Sequence, residues 1–502
     1  MTPPARWKCE VCGYIHEGPA PPDTCPVCGV GADMFSEYAE ADQPPAARSA
    51  GGEAWRCTIC SEIIAGQAPP EKCPECGAAT SLFVPRDSKE APLGVTGTGE
   101  QIVVVGGGVA GVTAADYARR SSVSAKITLI HKEPDLPYNR LNLTRLLAGE
   151  VDEAALPLRD ADWYASELIE TVAGDVIRID REKHEVELRS GRSFKYDRLL
   201  LTNGSHPFVP PMVGVTRDGV FSLRTRIDAS RILQRTGAGA RCVCIGGGLL
   251  GLEVAGALAR RGAQVTVLEG FEWLLPRQLA QPAADMLRVH TENLGIRVVC
   301  GVQTEGITGD EEAKGVRIKD GEEIPADLVV LAAGVRPNSH LARQSGLEVR
   351  NGVVVDDHMR TSDDSIYAAG DVTEHRGVVY GLWPTAMGQG AVAGVNAING
   401  NAQQFTGVPP ANQLKVLDVA VFSIGQFERS DASFRVFEQQ TPGVYYRLVC
   451  RDGKLVGANL FGDNEPAGAV KTAIEEGRQL AECRSLLDRF PGLMSCVREE
   501  TA

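Results

Sequence analysis

The sequence predicts an α/β fold made of two dinucleotide-binding units, preceded by two small metal knuckles. Three observations predict it. An apolar run leads into Gly106-x-Gly108-x-x-Gly111, and another leads into Gly246-x-Gly248-x-x-Gly251. Ahead of both, one cysteine pattern occurs twice. Length agrees: 502 residues suit about three or four domains.

The cysteine pattern comes first in the chain. Cys9-x2-Cys12 is followed after twelve residues by Cys25-x2-Cys28; Cys57-x2-Cys60 and Cys73-x2-Cys76 repeat it at an offset of 48. Trp7/Trp55 and Phe35/Phe83 recur at the same offset. Two thiolates three positions apart on a tight turn reach one ion, and two such turns complete a tetrahedron. Gly13, Gly29 and Gly77 follow knuckle cysteines, where turns often need φ > 0. Disulfides are the competing reading, and an acidic chain without a basic-then-apolar N-terminal segment disfavours them. Four thiolates hold zinc or iron equally well, so spacing leaves the metal open.

Residues 7–37 resemble the rubredoxin-type domain found at the end of rubrerythrins. The resemblance rests on Trp7, Cys9–Tyr14, Cys25–Gly29 and Phe35. It implies one iron held by Cys9, Cys12, Cys25 and Cys28, cycling one electron. The second copy keeps Trp55, Phe83 and Cys73–Gly77, which implies the set Cys57, Cys60, Cys73 and Cys76. It carries Ser61-Glu62 in place of Gly13-Tyr14, so zinc stays open there above all.

Composition excludes several classes. Net charge is −14, which disfavours nucleic acid because no phosphate-neutralising excess exists. No apolar run approaches the ~18 residues that span a bilayer. A cytoplasmic location is the expectation. Residues 39–53 and 87–100 hold Pro, Ala and Gly without apolar periodicity and read as tethers.

The large unit begins at Gln101. Ile102–Val105 reads as a buried strand, and Ala114, Ala115 and Ala118 after the glycines fall at helical spacing. Such glycines let the backbone approach a pyrophosphate, and the helix N-terminus meets its charge. Lys126–Ile130 reads as the next strand, with Glu133 the candidate for an adenosine ribose and a solvated loop carboxylate the alternative. In the second unit Arg241–Ile245 is the strand, Leu252–Arg261 the helix and Gly262 its C-cap. Gln264–Leu268 closes on Glu269, an acid placed for ribose hydroxyls and against a 2′-phosphate, which favours NADH over NADPH. Arg260 and Arg261 lie on the helix and are read as solvent-facing.

Several further stretches resemble the two-dinucleotide flavoproteins, in that family's order. Residues 199–205, with Gly204, resemble the return to the FAD half. Residues 331–337, with Gly334, resemble the exit from the NADH half. Ile366–Asp371 resembles the closing motif, which implies that Gly370 and Asp371 meet the flavin. Pro137-Tyr138-Asn139-Arg140-Leu141-Asn142-Leu143-Thr144-Arg145 resembles a stretch of NADH–rubredoxin reductases, ferredoxin reductases and the flavoprotein part of NADH nitrite reductases. The resemblance implies that Arg140 contacts FAD and that Arg145 lies near the flavin ring, paired with Glu253. There Arg145 would act by charge, since a guanidinium does not readily release its proton; a purely structural ion pair is the alternative. Trp383-Pro384-x-Ala386-x-x-Gln389-Gly390 resembles the helix start that faces the flavin, with Trp383 beside the ring or simply in the core. Residues 412–426 open a C-terminal α/β domain resembling the interface domain of the rubredoxin and nitrite reductase branch.

This divides the chain into rubredoxin-like domains 1–38 and 54–86, FAD halves 101–215 and 331–405, an NADH domain 216–330 and an interface domain 410–502. Disulfide reductases of this superfamily carry Cys-x4-Cys in the FAD half, and thioredoxin reductases Cys-x2-Cys in the NADH domain; this chain has neither pair at those places. Cys242 and Cys244 alternate within one strand and read as core residues. His184, His206, His340, His358 and His375 lack ligand spacing. The expectation is an NADH-dependent FAD oxidoreductase that passes electrons to its own two iron sites and on to an external redox protein, or in reverse. A homodimer through the C-terminal domain is a further expectation. Two alternatives stay open: zinc docking modules on an NADH oxidase-type flavoprotein, and the reductase component of a nitrite-reducing system.

Overall fold

Both N-terminal modules fold onto one pattern of three short antiparallel strands. In the computed structural model Arg6–Cys9 lies between Ile15–Glu17 and Phe35–Glu37, and Ala54–Cys57 lies between Ile63–Ala65 and Phe83–Pro85. Registers repeat as the sequence does: Cys9 faces Phe35, and Cys57 faces Phe83. The structure describes residues 6–9, 15–17, 20–21, 35–37, 54–57, 63–70, 83–85, 99–319, 321–407, 411–427 and 433–497.

The first half of the flavoprotein is a parallel sheet. Its strands are β1 (Gln101–Val105), β2 (Lys126–His131), β3 (Ile169–Ala173), β4 (Arg198–Leu201) and, from much later in the chain, β12 (Ile366–Ala368). The spatial order is β12-β4-β1-β2-β3, with β1 central and buried from Ile102 to Val105. Near-continuous apolar runs suit a sheet covered on both faces. One face is covered by helices α1 (Val109–Ser121) and α5 (Trp383–Asn399). They cross backbone to backbone. A Cβ on Gly390 would overlap the Ala110 carbonyl oxygen, and one on Gly394 the Ala114 oxygen.

Between these parts runs a second parallel sheet of the same kind, in the order β6-β10-β7-β8-β9. Its strands are β6 (Val220–Phe221), β7 (Arg241–Ile245), β8 (Gln264–Leu268), β9 (Arg297–Val299) and β10 (Leu328–Leu331). Helix α4 (Leu249–Arg260) follows the second glycine loop, and Gly262 takes the left-handed φ of +83° expected of a C-terminal cap. Two antiparallel strands, β5 (Ser205–Pro207) and β11 (Val335–Pro337), carry the chain across and back. Val213 forms an isolated parallel bridge with Gly306.

The C-terminal domain is a five-stranded antiparallel sheet, β13-β14-β17-β16-β15. The strands are β13 (Ala411–Val416), β14 (Val419–Gly425), β15 (Arg435–Thr441), β16 (Val444–Arg451) and β17 (Lys454–Phe461), backed by helix Ala467–Glu475. Leu417 and Asp418 form the two-residue turn between β13 and β14, at φ of +48° and +70°. Two left-handed residues give the turn that matches strand twist, usually filled by Asn or Gly. Leu417 is 2% exposed, and burying such a side chain contributes about 1.5–3 kcal/mol.

Candidate active site

Two loops of the same build define the site. In the first, a Cβ on Gly106 or Gly111 would overlap backbone, at Thr202 and Gly106 respectively, while one on Gly108 would meet nothing within 4 Å. In the second, Gly246 and Gly251 are crowded in the same way and Gly248 is open. Gly108 and Gly248 are the N-caps of α1 and α4, and neither end has a side-chain cap. The uncapped amides and the open cradle fit a pyrophosphate in each loop.

The residue at the end of the second strand differs between the two loops. Gly246 N–H donates to Leu268 O at 2.8 Å, and the next residue, Glu269, is 7% exposed. Its carboxylate accepts Gly247 N–H at 2.7 Å and Phe271 N–H at 2.9 Å, leaving acceptor capacity for ribose hydroxyls. Gly106 N–H donates to Ile130 O at 2.8 Å, so the equivalent residue is His131. Strand β2 runs one residue further than expected, and Glu133 falls two positions beyond the ribose register. Glu133 instead takes the Tyr138 hydroxyl at 2.5 Å and Arg140 at 2.5 Å.

Arg140 stands at the junction of the two halves. It donates to the Arg224 carbonyl at 2.8 Å and to the Tyr138 hydroxyl at 3.1 Å. Burial pushes the Tyr138 hydroxyl well above the ordinary tyrosine range, against the pull of Arg140. Asp371 accepts the Ser205 hydroxyl at 2.8 Å and faces Arg224 at 3.6 Å. Burial lowers the Arg224 pKa, and Asp371 opposes that shift. Gly370 N–H donates to Gln389 Oε1 at 2.9 Å, while Gln389 Nε2 is buried without a partner. A free buried donor beside Gly370 and Asp371 fits a cofactor ring rich in acceptors, as FAD is. Gly204 and Gly370 both take left-handed φ at the turns that follow β4 and β12, and Gly334 does so at the start of the return crossing. Trp383 is the half-buried first residue of α5.

Arg224, Ser205 and Gln389 were missed by sequence reasoning. Gln389 lay inside a recognised motif. Ser205 likewise closes the recognised stretch 199–205, whereas Arg224 carries no motif of its own.

Arg145 and Glu253 do not form the expected pair. Arg145 Nε lies 3.3 Å from Glu150, which Gly149 at φ +78° brings back under the helix α2 (Asn142–Ala148). Glu253 accepts the Leu417 backbone N–H at 3.2 Å, and burial pushes its carboxyl up, with that hydrogen bond opposing. Arg260, the last residue of α4, and Arg261 just beyond it are exposed, as expected, and still find partners. Arg260 reaches Glu150 at 2.5 Å and Asp418 at 3.1 Å, and Arg261 donates to the Leu147 carbonyl.

Cys242 and Cys244 are buried core residues, as expected, and burial pushes the Cys242 thiol up to about 12. Of the knuckle cysteines, Cys9 and Cys57 are placed at strand ends. Cys12, Cys25, Cys28, Cys60, Cys73 and Cys76 lie outside the described residues. No helix among the described residues is long and apolar enough to cross a membrane.

Comparison with known proteins agrees with this geometry. A family model described as pyridine nucleotide-disulphide oxidoreductase matches residues 100–390. The rubrerythrin rubredoxin-like domain matches residues 7–36 and 55–84, and the rubredoxin NAD+ reductase C-terminal domain matches 410–478. A nitrite reductase [NAD(P)H] of Bacillus subtilis is 36% identical over 387 residues, covering 76% of this chain and 48% of that protein. An NADH-rubredoxin oxidoreductase of Clostridium acetobutylicum is 30% identical over 388 residues, covering 77% of this chain and 97% of the relative. Among solved structures, a covalent putidaredoxin reductase–putidaredoxin complex aligns with TM-score 0.70 at 26% identity, over 78% of this chain and 99% of that one. The chain thus spans about half the length of the nitrite reductase it matches.

Proposed function

The chain belongs to the pyridine nucleotide-disulphide oxidoreductase family, and on that footing we propose that it is an NADH-dependent FAD oxidoreductase serving its own iron modules. Electrons would pass from NADH by way of FAD to the two four-cysteine sites, and then to an external redox protein. One observation carries the reading: two open glycine cradles in one chain, joined by the β5–β11 ribbon, with a rubredoxin-like pair on the same chain.

FAD, when bound, converts a two-electron hydride donor into a source of single electrons. The chain's residues do the rest. Gly108 and the α1 N-terminus would hold the FAD pyrophosphate, with His131 at the ribose register. Gly248, the α4 N-terminus and Glu269 would hold NADH and disfavour a 2′-phosphate. Arg140, Arg224, Asp371 and Gln389 would set the flavin ring in place. Hydride transfer needs no side-chain acid or base, so orientation is the protein's main contribution. Each module's cysteines, Cys9, Cys12, Cys25 and Cys28 or Cys57, Cys60, Cys73 and Cys76, would hold one iron. The six described cysteines outside the modules form no disulfide, which suits a reducing compartment such as the cytoplasm. A homodimer through the C-terminal domain belongs to the same proposal and is checked by sedimentation.

Anaerobic stopped-flow mixing with NADH tests the reading. Flavin absorption should bleach first and thiolate–iron bands afterwards. Colourless modules containing zinc would sink the electron-transfer role of residues 1–86. The identity with nitrite reductase favours a second reading, the electron-supplying part of a nitrite-reducing system. NADH-driven nitrite loss on adding a sirohaem-bearing partner separates the two.

A further inference from the structure

Three parts of the molecule meet at one point that hydride transfer does not use directly. From the FAD half comes α2 with Arg145, Leu147 and, just beyond it, Glu150. From the NADH half comes α4, presenting Glu253, Gly256, Arg260 and Arg261. From the C-terminal domain comes the Leu417–Asp418 turn. Arg145–Glu150 (3.3 Å), Glu150–Arg260 (2.5 Å) and Arg260–Asp418 (3.1 Å) form one chain of charges across all three.

The turn is wedged into the NADH half. Leu417 N–H donates to Glu253 at 3.2 Å, and its carbonyl oxygen lies 2.9 Å from His290 Nε2. Its side chain presses on Gly256, where a Cβ would overlap Leu417 Cδ2. Leucine is a poor residue for φ of +48°, and a left-handed leucine persists only where its surroundings hold it. Asn459 makes a second attachment nearby, accepting Ala280 N–H at 3.0 Å and donating to Gln278 O at 2.8 Å. The chain crosses between the two halves at the β5–β11 ribbon, and Arg140 to the Arg224 carbonyl (2.8 Å) and Arg226 to Asp135 (2.9 Å) tie them directly; the Leu417–Asp418 turn adds a tie from the C-terminal domain.

We propose that the Leu417–Asp418 turn is a positioning element for hydride transfer: it sets the NADH half against the FAD half, so that a nicotinamide held on α4 meets the flavin held on α1. Leu417 and Asp418 act through Glu253, Gly256, Arg260 and Glu150 and touch no substrate. The proposal rests on the NADH-to-flavin reading of the site.

Two full-length variants suit the test because each keeps a residue that accepts positive φ. Leu417→Gly removes the wedge, and Asp418→Asn removes the charge. Each is mixed anaerobically with NADH and with NADH deuterated at the transferred position. The limiting rate of flavin reduction should fall about tenfold or more in Leu417→Gly, since small misplacements of reacting atoms are costly. The isotope effect should change, while the NADH dissociation constant stays within about twofold because both glycine loops are intact. Asp418→Asn should fall in the same direction. Unaltered limiting rates and isotope effects in both variants, with only a lower melting temperature, would falsify the proposal. Should Leu417→Gly not fold, the rate and isotope effect of Asp418→Asn decide alone. A parent protein whose flavin NADH does not reduce overturns the underlying reading, and this inference with it.

Discussion

Gly247 donates its backbone N–H to the Glu269 carboxylate at 2.7 Å, so the residue that would read the ribose also ties the second glycine loop to strand β8. A change at Glu269 therefore acts on loop shape and on charge, and the substitution has to separate them. Glu269→Gln removes the charge and keeps one oxygen to accept from Gly247 or Phe271, which bond different carboxylate oxygens in the parent. Charge-assisted hydrogen bonds contribute about 1.5–3 kcal/mol, so kcat/KM for NADH should fall about tenfold or more. The NADH-to-NADPH preference should narrow with it. Steady-state rates with both nucleotides check this; an unchanged ratio would remove Glu269 from the specificity site.

Gly108 and Gly111 are three residues apart in the sequence and opposite in what they tolerate. Gly111→Ala drives a Cβ into the Gly106 carbonyl, an overpacking that costs about 1–3 kcal/mol. Its urea midpoint should drop. Gly108→Ala meets no atom of the protein within 4 Å, so the apoprotein should melt as the parent does. The added methyl instead faces the ligand, and the purified protein should carry much less FAD. Flavin-to-protein absorbance and apoprotein melting temperature together distinguish the two outcomes.

The glycine loops were legible in the sequence because close backbone approach admits no other residue at Gly106, Gly111, Gly246 and Gly251. Core strands were legible for a similar reason: parallel strands covered on both faces read as apolar runs. Glu133 was misplaced because a strand one residue longer puts His131 in the ribose register. The Arg145–Glu253 pairing was illegible for a different reason. Glu253's partner, Leu417, lies 164 residues away, and Arg145 is captured by Glu150 through a left-handed glycine. The Glu253–Leu417 contact depends on how separate domains dock, which no local pattern encodes, whereas the Arg145–Glu150 contact is local and turns on Gly149.

Asp357 should shape the acid limb of stability. Its carboxylate takes two bonds from Arg376, at 2.9 and 2.6 Å, and one contact with His375 at 2.9 Å. Arg376 chiefly, opposed by desolvation and helped by His375, holds the carboxyl down at about 2. An unfolded Asp titrates near about 4. The stabilisation is therefore complete above about pH 4 and is lost as pH falls through about 2. The urea midpoint of the parent should fall more steeply across that window than that of Asp357→Asn. Salt should shrink the difference, since the Arg376 side chain is 56% exposed. Parallel acid limbs for the two proteins would remove Asp357 from the account.

Cys12→Ser and Cys60→Ser ask whether the repeated knuckles are two equal redox sites. Each substitution removes one thiolate from a four-thiolate set, which serine does not replace as a soft ligand. If both modules hold iron, the parent should contain about two irons per chain, and each variant should lose about half of the iron and of the dithionite-bleachable visible bands. NADH reduction of the flavin should be unchanged in both, because the dinucleotide loops lie wholly within the family match that starts at residue 100. The copies should separate in the next step. If only the first copy is iron, Cys12→Ser abolishes the visible signal and Cys60→Ser leaves it, with zinc released instead. That asymmetry would trace to Ser61-Glu62 standing where the first copy has Gly13-Tyr14. Elemental analysis with anaerobic titration by NADH reads both quantities on the same samples, and loss of flavin reduction in either variant would show that the knuckles do more than receive electrons.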